Sequence, residues 1–225
     1  YFTQVFRCAR KTKLVEENTG LYFLGFGTMN GKDGKPFKTR EGGVMRLERL
    51  LSEITDEMYK KIIENRNVKD EDARATAETV GLSAIKYGDL SNQASKDYVF
   101  DVDRFTSFEG DTGPYILYTT VRIKSILNRF LQEGGSLEEG SIQGASSESE
   151  KALMLELCRF NQVVENAFDE KAPHKICGYI YGLANAFNRF YHETKILSEE
   201  DNQQKASWIH LLTLTRDVLE TSIDL

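Results

Sequence analysis

The chain has 225 residues, 40% of them hydrophobic and 28% charged, which is enough for a sizeable core or two modest domains. A formal net charge of -6 excludes a uniformly basic nucleic-acid-binding surface, although local clusters of cations remain possible. No stretch is long and apolar enough for a membrane span, and cations interrupt residues 1–13 too often for a signal peptide. Composition therefore predicts a soluble protein of the cytoplasm.

An apolar run at residues 21–29 follows a predicted helix over residues 1–13 and leads into a basic, glycine-rich segment, residues 31–43 (GKDGKPFKTREGG). We predict that the run is a strand that carries a flexible loop. Glycine permits tight turns, and cationic side chains on such a loop can close over phosphate oxygens as charge develops in a transition state. The alternative is an exposed Asp-Gly turn with solvated lysines. The cations of the segment are Lys32, Lys35, Lys38 and Arg40.

Helical patterns dominate the chain after this loop. Two short helices are predicted over residues 45–53 and 55–65, the second with Thr55 as its N-cap and acidic residues in its first turn. A longer helix is predicted over residues 70–87. We place a domain boundary near Asp111, which divides the chain into residues 1–110 and 111–225.

The C-terminal part carries apolar stripes at helical spacing, and these predict an antiparallel helical bundle. Residues 134–149, which are rich in serine, glycine and glutamate, predict an exposed loop or linker within it. The predicted fold is therefore mostly α with a small α/β part. The stripes are Leu153, Leu157, Phe160, Val164 and Phe168, then Ile176, Ile180, Leu183, Phe187 and Phe190, then Trp208, Leu211, Leu212, Thr215 and Leu219.

The first helix of this bundle, predicted over residues 114–131, has two adjacent faces. One is apolar and is expected to face the core. The other could stack on bases and pair with phosphates, and aromatic stacking contributes about 1 to 3 kcal/mol per base. The alternative is that its tyrosines edge the core beside solvated arginines. This second face holds Tyr115, Tyr118, Arg122, Ser125 and Arg129.

The cysteines and histidines predict neither a disulfide framework nor a metal site. Cys8, Cys158 and Cys177 are odd in number and lack CxxC spacing, so we expect reduced, buried thiols. The three histidines are 18 residues apart and form no HxxxH pair.

Several short blocks occur in an order that one known family shares. Residues 35–40 (KPFKTR) look like a degenerate KMSKS-type loop, and residues 26–29 (FGTM) look like the strand before it. Further blocks are residues 84–91 (AIKYGDLS), 97–101 (DYVFD), 107–115 (SFEGDTGPY) and 187–192 (FNRFYH). Together they resemble arginyl-tRNA synthetase, a class I aminoacyl-tRNA synthetase, over nearly the whole chain.

The resemblance implies that the chain is the C-terminal portion of an arginine-tRNA ligase. It would contain the end of a Rossmann-like, nucleotide-binding catalytic domain, followed by a helical anticodon-binding domain. The parent enzyme would activate L-arginine with ATP and Mg²⁺ and transfer it to tRNA(Arg), as a monomer. The class I His-x-Gly-His motif is absent from the sequence and would be expected upstream of Tyr1, so this chain alone would be catalytically incomplete.

The resemblance also implies roles for individual residues. The cations Lys35, Lys38 and Arg40 would stabilise the pyrophosphate that leaves ATP. Backbone groups of Phe26, Gly27 and Thr28 would approach the adenosine. The candidates for tRNA contact are Tyr115, Tyr118, Arg122 and Lys124.

Two other classes of function remain open from the sequence. The chain could be a tRNA-binding helical module without catalysis, because half of a class I active site is absent. It could also be a helical protein-interaction domain with an accidental basic turn, which would expose a large apolar patch.

Overall fold

Helices make up most of the molecule. The computed structural model describes residues 1–35, 46–65, 70–137 and 140–225, apart from the side chains of residues 65, 70 and 71. Within these ranges, no helix is long and apolar enough to cross a membrane. The elements are α1 (Phe2–Lys11), β1 (Met29–Asn30), α2 (Leu47–Asn65), α3 (Asp70–Leu90), β2 (Tyr98–Val99), α4 (Val102–Phe105), α5 (Gly113–Gln132), α6 (Glu148–Cys158), α7 (Phe160–Glu170), α8 (His174–Glu193), a 3₁₀ helix (Ile196–Ser198) and α9 (Asn202–Asp224).

A first, smaller core lies between α2, α3 and the segment around α4. Apolar residues recur on one face of α2 at i, i+4 and i+8, so that Leu50, Ile54 and Met58 are all buried. Small residues of α3 let the two helices approach closely, and Phe100 packs edge-on against Phe105 with ring centroids 4.8 Å apart. This core supports the sheet on which the basic segment begins.

The sheet consists of two short parallel strands. Met29 pairs with Tyr98 and Asn30 with Val99. Beyond the paired residues, the Tyr98 amide donates to the Thr28 carbonyl over 3.1 Å. The small α/β part that the sequence predicts is thereby confirmed, although it is much shorter than expected.

The prediction of a strand over residues 21–29 was wrong for most of its length. Only Met29 of that run is in a strand, and Tyr22, Phe23 and Leu24 expose more than half of their surface. A strand needs a hydrogen-bonding neighbour as well as apolar residues, and within the described residues β2 offers only two paired positions.

The helix pair predicted over residues 45–53 and 55–65 is a single helix, α2. Thr55 therefore lies inside a helix and is not an N-cap. Ile54, at the predicted break, and Met58, one turn after it, are both fully buried. The apolar face continues through Thr55, and the burial of that face outweighs the local capping signal.

The bundle of α5 to α9 confirms the predicted helical domain and most of its stripes. In particular, Phe187, Phe190, Leu211, Leu212 and Leu219 are completely buried in one core. Phe168 was predicted to face that core, but it is 80% exposed. The chain turns at Arg159, between α6 and α7, so the stripe of α6 does not continue in register to the end of α7.

Two further expectations were wrong in detail. Cys8 and Cys158 are exposed, and only Cys177 is a buried thiol. The segment around residues 134–149 is not exposed throughout, because Ser149 at its end is buried at the start of α6, next to buried Glu150. The Glu150 carboxylate accepts from the Ser146 amide over 2.8 Å, while the Ser147 hydroxyl accepts from the Glu150 amide.

The two cores meet where α3 packs against the beginning of α5. Thr112 is the N-cap of α5, its hydroxyl accepting from the Tyr115 amide over 3.2 Å, and Gly113 follows as a buried residue. A Cβ atom at Gly113 would lie 2.3 Å from the Ser83 carbonyl oxygen. Only glycine permits this backbone-to-backbone contact.

We predict that Gly113→Ala lowers the free energy of unfolding by about 1 to 3 kcal/mol, because the methyl group forces α5 away from α3. Gly178→Ala is the matched control: it lies in α8 with no atom within 4 Å of its added Cβ. Higher helix propensity should make that variant more stable by about 0.5 to 1 kcal/mol. Urea unfolding measures both, and equal stabilities of the two variants would contradict the close contact.

Candidate functional site

The basic segment begins with a tight turn directly after β1. The Gly31 amide donates to the Lys35 carbonyl over 2.9 Å, and the Gly34 amide donates to the Gly31 carbonyl over 2.8 Å. Gly34 has φ of 71°, a left-handed conformation that favours glycine. The turn places Lys35 at the surface with an exposed side chain. Lys38 and Arg40, the other two predicted catalytic cations, lie outside the described residues.

Lys32 lies in the same turn but is held by acidic residues. Its ammonium group lies 2.7 Å from Asp103 Oδ2 and 3.1 Å from Asp101 Oδ1, at the start of α4. The hydrogen bond with Asp103 raises the pKa of Lys32, with a further contribution from Asp101. Because two carboxylates already accept from this ammonium group, Lys32 fixes the turn to α4 and is less available to an incoming anion than Lys35.

Phe26, Gly27 and Thr28, the candidate adenosine contacts, lead into β1 and lie against the segment before β2. The Gly27 amide donates to the Ala94 carbonyl over 2.8 Å, and a Cβ atom at Gly27 would lie 2.3 Å from the Lys96 carbonyl. The Thr28 amide donates to Asp97 Oδ1 over 2.7 Å, and this bond lowers the pKa of Asp97. The backbone at Gly27 and Thr28 is therefore fixed, whereas the Phe26 side chain is 88% exposed.

On α5, three of the four predicted tRNA contacts lie together. The Arg122 guanidinium lies between two aromatic rings, 4.8 Å from the centroid of Tyr118 and 5.3 Å from that of Tyr191. Tyr191 comes from α8, and Tyr118 is 40% exposed. These two cation-π contacts restrict the position of the guanidinium group, which keeps further N–H groups for hydrogen bonds.

Asn188 of α8 connects Arg122 to other residues of α5 through hydrogen bonds. Its Oδ1 accepts a hydrogen bond from Arg122, while its Nδ2 donates to the Tyr115 hydroxyl over 2.9 Å and to the Thr119 hydroxyl over 3.1 Å. The Tyr115 hydroxyl donates in turn to Asn185 Oδ1 over 2.7 Å. Partial burial raises the pKa of Tyr115. Tyr115 thus lies at the edge of the core, as the alternative interpretation of this face predicts. It is also hydrogen-bonded to Asn188, the residue that holds Arg122.

Lys124 lies on a different side of α5. Its ammonium group forms an ion pair with Glu220 of α9. The structure therefore separates Lys124 from the face formed by Tyr115, Tyr118 and Arg122, and the four predicted contacts do not form one surface.

A groove of about 590 Å³ continues from the stacked arginine along α5 and α8 to the 3₁₀ helix. It contains four basic or potentially basic side chains, and no acidic residue lines it within the described part of the chain. Arg129 of this groove also forms an ion pair with Glu133 over 2.9 Å. The basic side chains are Arg122, Arg129, His192 and Lys195.

Sequence reasoning missed Asn188, Tyr191 and Lys195 as parts of this face. The block at residues 187–192 contributes to the family resemblance, but the sequence assigns no tRNA contact to its residues. Its spacing does carry a signal, because Tyr191 follows Phe187 by one helical turn and their rings stack with centroids 6.0 Å apart. Which residues of α5 they would meet depends on the packing of α8 against α5, and this packing is not visible in the spacing.

No group of three or more metal-ligating side chains is found among the residues that the structure describes. The candidate site residues that the structure describes are cations and aromatic rings on two surfaces, one at the end of β1 and one on α5 and α8. Such surfaces suit anionic partners, a nucleotide at the first and a polynucleotide at the second.

Comparisons with known proteins agree with this division. A family model of the class I tRNA synthetase (R) catalytic domain matches residues 1–102, and a model of the DALR anticodon binding domain matches residues 116–225. The arginine-tRNA ligases of Agathobacter rectalis and Alkaliphilus oremlandii are 61% and 58% identical to the whole chain. The chain belongs to the arginyl-tRNA synthetase family.

Solved structures of arginyl-tRNA synthetases show the same fold. That from Plasmodium falciparum matches 99% of this chain with a TM-score of 0.78 at 25% identity, and that from Thermus thermophilus matches 89% with a TM-score of 0.76 at 26% identity. The chain covers 37% and 33% of these two structures. It spans 39% and 38% of the two curated arginine-tRNA ligases above.

We predict that Asn188→Ala lowers the free energy of unfolding by about 1 to 3 kcal/mol, because it leaves the Thr119 hydroxyl and the Arg122 guanidinium without their shared partner. Asn185→Ala should cost less, since Asn185 is exposed and water can replace its oxygen. Chemical unfolding of both variants provides the comparison. A larger loss in Asn185→Ala would contradict the central role of Asn188.

Proposed function

We propose that this chain is the part of an arginine-tRNA ligase that supplies the KMSKS-like loop to ATP and binds tRNA(Arg) on its helical bundle. Family membership and the two matched domains support this assignment. The domain boundary is proposed near Asp111, just before α5. The enzyme is proposed to act as a monomer in the cytoplasm.

The catalytic contribution of the loop is electrostatic. Arginine attacks the α-phosphate of ATP through its carboxylate, and pyrophosphate leaves with growing negative charge. Lys35, Lys38 and Arg40 would stabilise that charge, and Mg²⁺ bound to ATP would share it. The fixed backbone at Gly27 and Thr28 would form the adenosine side of the site, and Lys32 would hold the start of the loop against α4.

The RNA-binding assignment rests on one observation, the Arg122 guanidinium held between Tyr118 and Tyr191 beside a basic groove. Rings and guanidinium planes are surfaces on which unstacked bases of single-stranded loops can lie. The groove beyond them offers cations at the positions where the phosphates of such a loop would pass. A net charge of -6 does not oppose this, because charges beyond about 8 Å are largely screened at physiological ionic strength.

The exposed apolar surface near the N-terminus does not favour the protein-interaction alternative. Tyr1, Phe2, Phe23 and Phe26 are all at least 41% exposed, and no residue within α1, which is completely described, is buried. These residues lie in the segment that the catalytic-domain family model matches. The chain covers only part of its relatives, so a surface left by the rest of a catalytic domain is the simpler explanation.

We predict that the chain binds tRNA(Arg) more tightly than a non-cognate tRNA, and that added salt weakens both. Arg122→Ala should weaken binding about tenfold, because it removes a cation and the platform between two rings. Filter binding or fluorescence titration at two salt concentrations measures this. Equal binding of the two tRNAs would show that specificity requires more than this chain, and absence of binding would overturn the proposed function.

Two lysine substitutions distinguish the loss of a specific tRNA contact from the general effect of removing one positive charge. Lys60→Ala on α2 is the control, since Lys60 lies outside the proposed face and forms an ion pair with Glu57 of the same helix. Lys124→Ala tests the α9 side of α5, where the resemblance also predicts a tRNA contact. If Lys60→Ala weakens binding as much as Arg122→Ala, the proposed face is wrong.

In a full-length arginyl-tRNA synthetase that carries this sequence, Lys38→Ala should lower the rate of pyrophosphate exchange by about 10- to 1,000-fold, as expected for loss of one group that stabilises transition-state charge. Binding of tRNA should remain unchanged. Exchange assays in the presence of tRNA measure the first, and titration measures the second. An unchanged exchange rate would exclude Lys38 from the catalytic role.

A further inference from the structure

The last turn of α3 contacts both halves of the molecule through two tyrosine hydroxyls. One hydroxyl belongs to α3 and reaches the bundle, while the other belongs to β2 and reaches α3. Both tyrosines lie in sequence blocks that carry the family resemblance, residues 84–91 and 97–101, but the proposed chemistry gives neither hydroxyl a role. Both are hydrogen-bonded to carboxylates, which gives stronger bonds than neutral pairs do.

On the bundle side, the hydroxyl of Tyr87 lies 2.6 Å from Asp111 Oδ1 and 2.9 Å from the Cys177 carbonyl oxygen, and it donates its proton to these acceptors. Asp111 precedes the N-cap of α5, and Cys177 lies in α8. The Tyr87 ring is 9% exposed and packs in the core of the bundle, although α3 also contributes Ala77 and Ala84 to the smaller core. One side chain thus ties α3 to two bundle helices.

On the sheet side, the Tyr98 hydroxyl donates to Asp89 Oδ1 over 2.6 Å. Asp89 is two residues after Tyr87, and Tyr98 is paired with Met29 of β1. β1 leads directly into the turn at Gly31 that begins the basic loop. The start of α5 is therefore linked to the start of that loop through Tyr87, Asp89 and Tyr98.

We propose that the last turn of α3 is a bracket: Tyr87 fixes it to the bundle and Asp89 fixes it to β2, so that it sets the position of the basic loop relative to the RNA-binding face. Tyr87, Asp89 and Tyr98 are positioning residues and do not touch substrate. This inference rests on the proposed function, because it concerns the geometry between its two surfaces. It adds the requirement that the basic loop and the RNA-binding face be held at a fixed distance and orientation from each other.

The proposal follows from what each surface must do. A tRNA that is bound at α5 and α8 presents its distant end to the catalytic site. A small rotation of the bundle therefore moves that distant end further than it moves the bundle residues that contact α3. Misplacement of reacting groups by about 1 Å can cost about a hundredfold in rate. The hydrophobic effect is not directional, whereas a hydrogen bond weakens steeply away from its preferred geometry, so the two tyrosine hydroxyls add a directional restraint to the packing of α3 against α5.

The bracket can be tested in this chain without any RNA. Spin labels on Cys158, which is exposed in α6, and on a cysteine introduced by Val99→Cys in β2 report the distance between the two halves. Cys8→Ser removes the other exposed thiol, and Cys177 is buried. We expect a narrow distance distribution in this labelled parent and a broader one after Tyr87→Phe or Tyr98→Phe, each of which removes one hydroxyl.

Tyr179→Phe is the matched control. Tyr179 is 5% exposed, and its hydroxyl finds no hydrogen-bond partner in the part of the chain that the structure describes. Its removal should leave the distance distribution narrow. Distributions that stay narrow in Tyr87→Phe and Tyr98→Phe would overturn the bracket, and so would equal broadening in Tyr179→Phe.

The functional consequence is measured in a full-length arginyl-tRNA synthetase that carries this sequence. Tyr87→Phe and Tyr98→Phe should lower the turnover of tRNA charging by about tenfold or more and leave KM for tRNA unchanged, since the binding face remains intact. A rise in KM with unchanged turnover would overturn the positioning role. Failure of the unaltered chain to bind tRNA would instead overturn the proposed function, while the distance distributions would still decide on the bracket.

Discussion

Close packing of α3 against the first turn of α5 is the constraint on which both surfaces depend. The buried glycine at position 113 lets the α5 backbone touch the α3 backbone at Ser83 and Ala84. The bundle and the smaller core therefore share a helix and are not joined by a free linker. From this junction, α5 carries Tyr118 and Arg122 outward in one direction, and α3 leads to β2 and the basic loop in the other.

The two surfaces use charge in different ways. At the loop, Asp101 and Asp103 both pair with the ammonium group of Lys32, so Lys35 is the more available cation of the described turn. On the bundle, the contacts of Arg122 with described residues are two aromatic rings, Tyr118 and Tyr191, and the amide oxygen of Asn188. Acidic residues elsewhere account for the negative total. A polyanion that approaches the groove on α5 and α8 meets basic side chains and no acidic ones among its described lining residues, despite the net charge.

The sequence predicts the bundle well, because long stripes such as that from Ile176 to Phe190 can be buried only against other helices. It also predicts Tyr115, Tyr118 and Arg122 as one face, since these positions are one turn apart. It fails for the strand over residues 21–29, where pairing partners decide, and for the break before Thr55, where a continuous buried face overrides a cap. Asn188 and Tyr191 could not be placed beside Arg122 because helix periodicity fixes a face but not its neighbour. The positions of Lys38 and Arg40 remain predictions.

The hydrogen bonds around Asn188 run in one direction only. Its amide nitrogen donates to the Tyr115 hydroxyl, and that hydroxyl donates its own proton to Asn185 Oδ1. The Tyr115 hydroxyl can therefore act only as a hydrogen-bond acceptor toward a bound base, whereas the neighbouring Arg122 guanidinium can act only as a donor. A base edge that combined an amino group with a carbonyl or ring nitrogen would match this pair of neighbours, whereas an edge with acceptors alone would satisfy only the arginine. The orientation of the buried Asn188 amide thus determines which hydrogen-bonding pattern of a base edge this face would prefer.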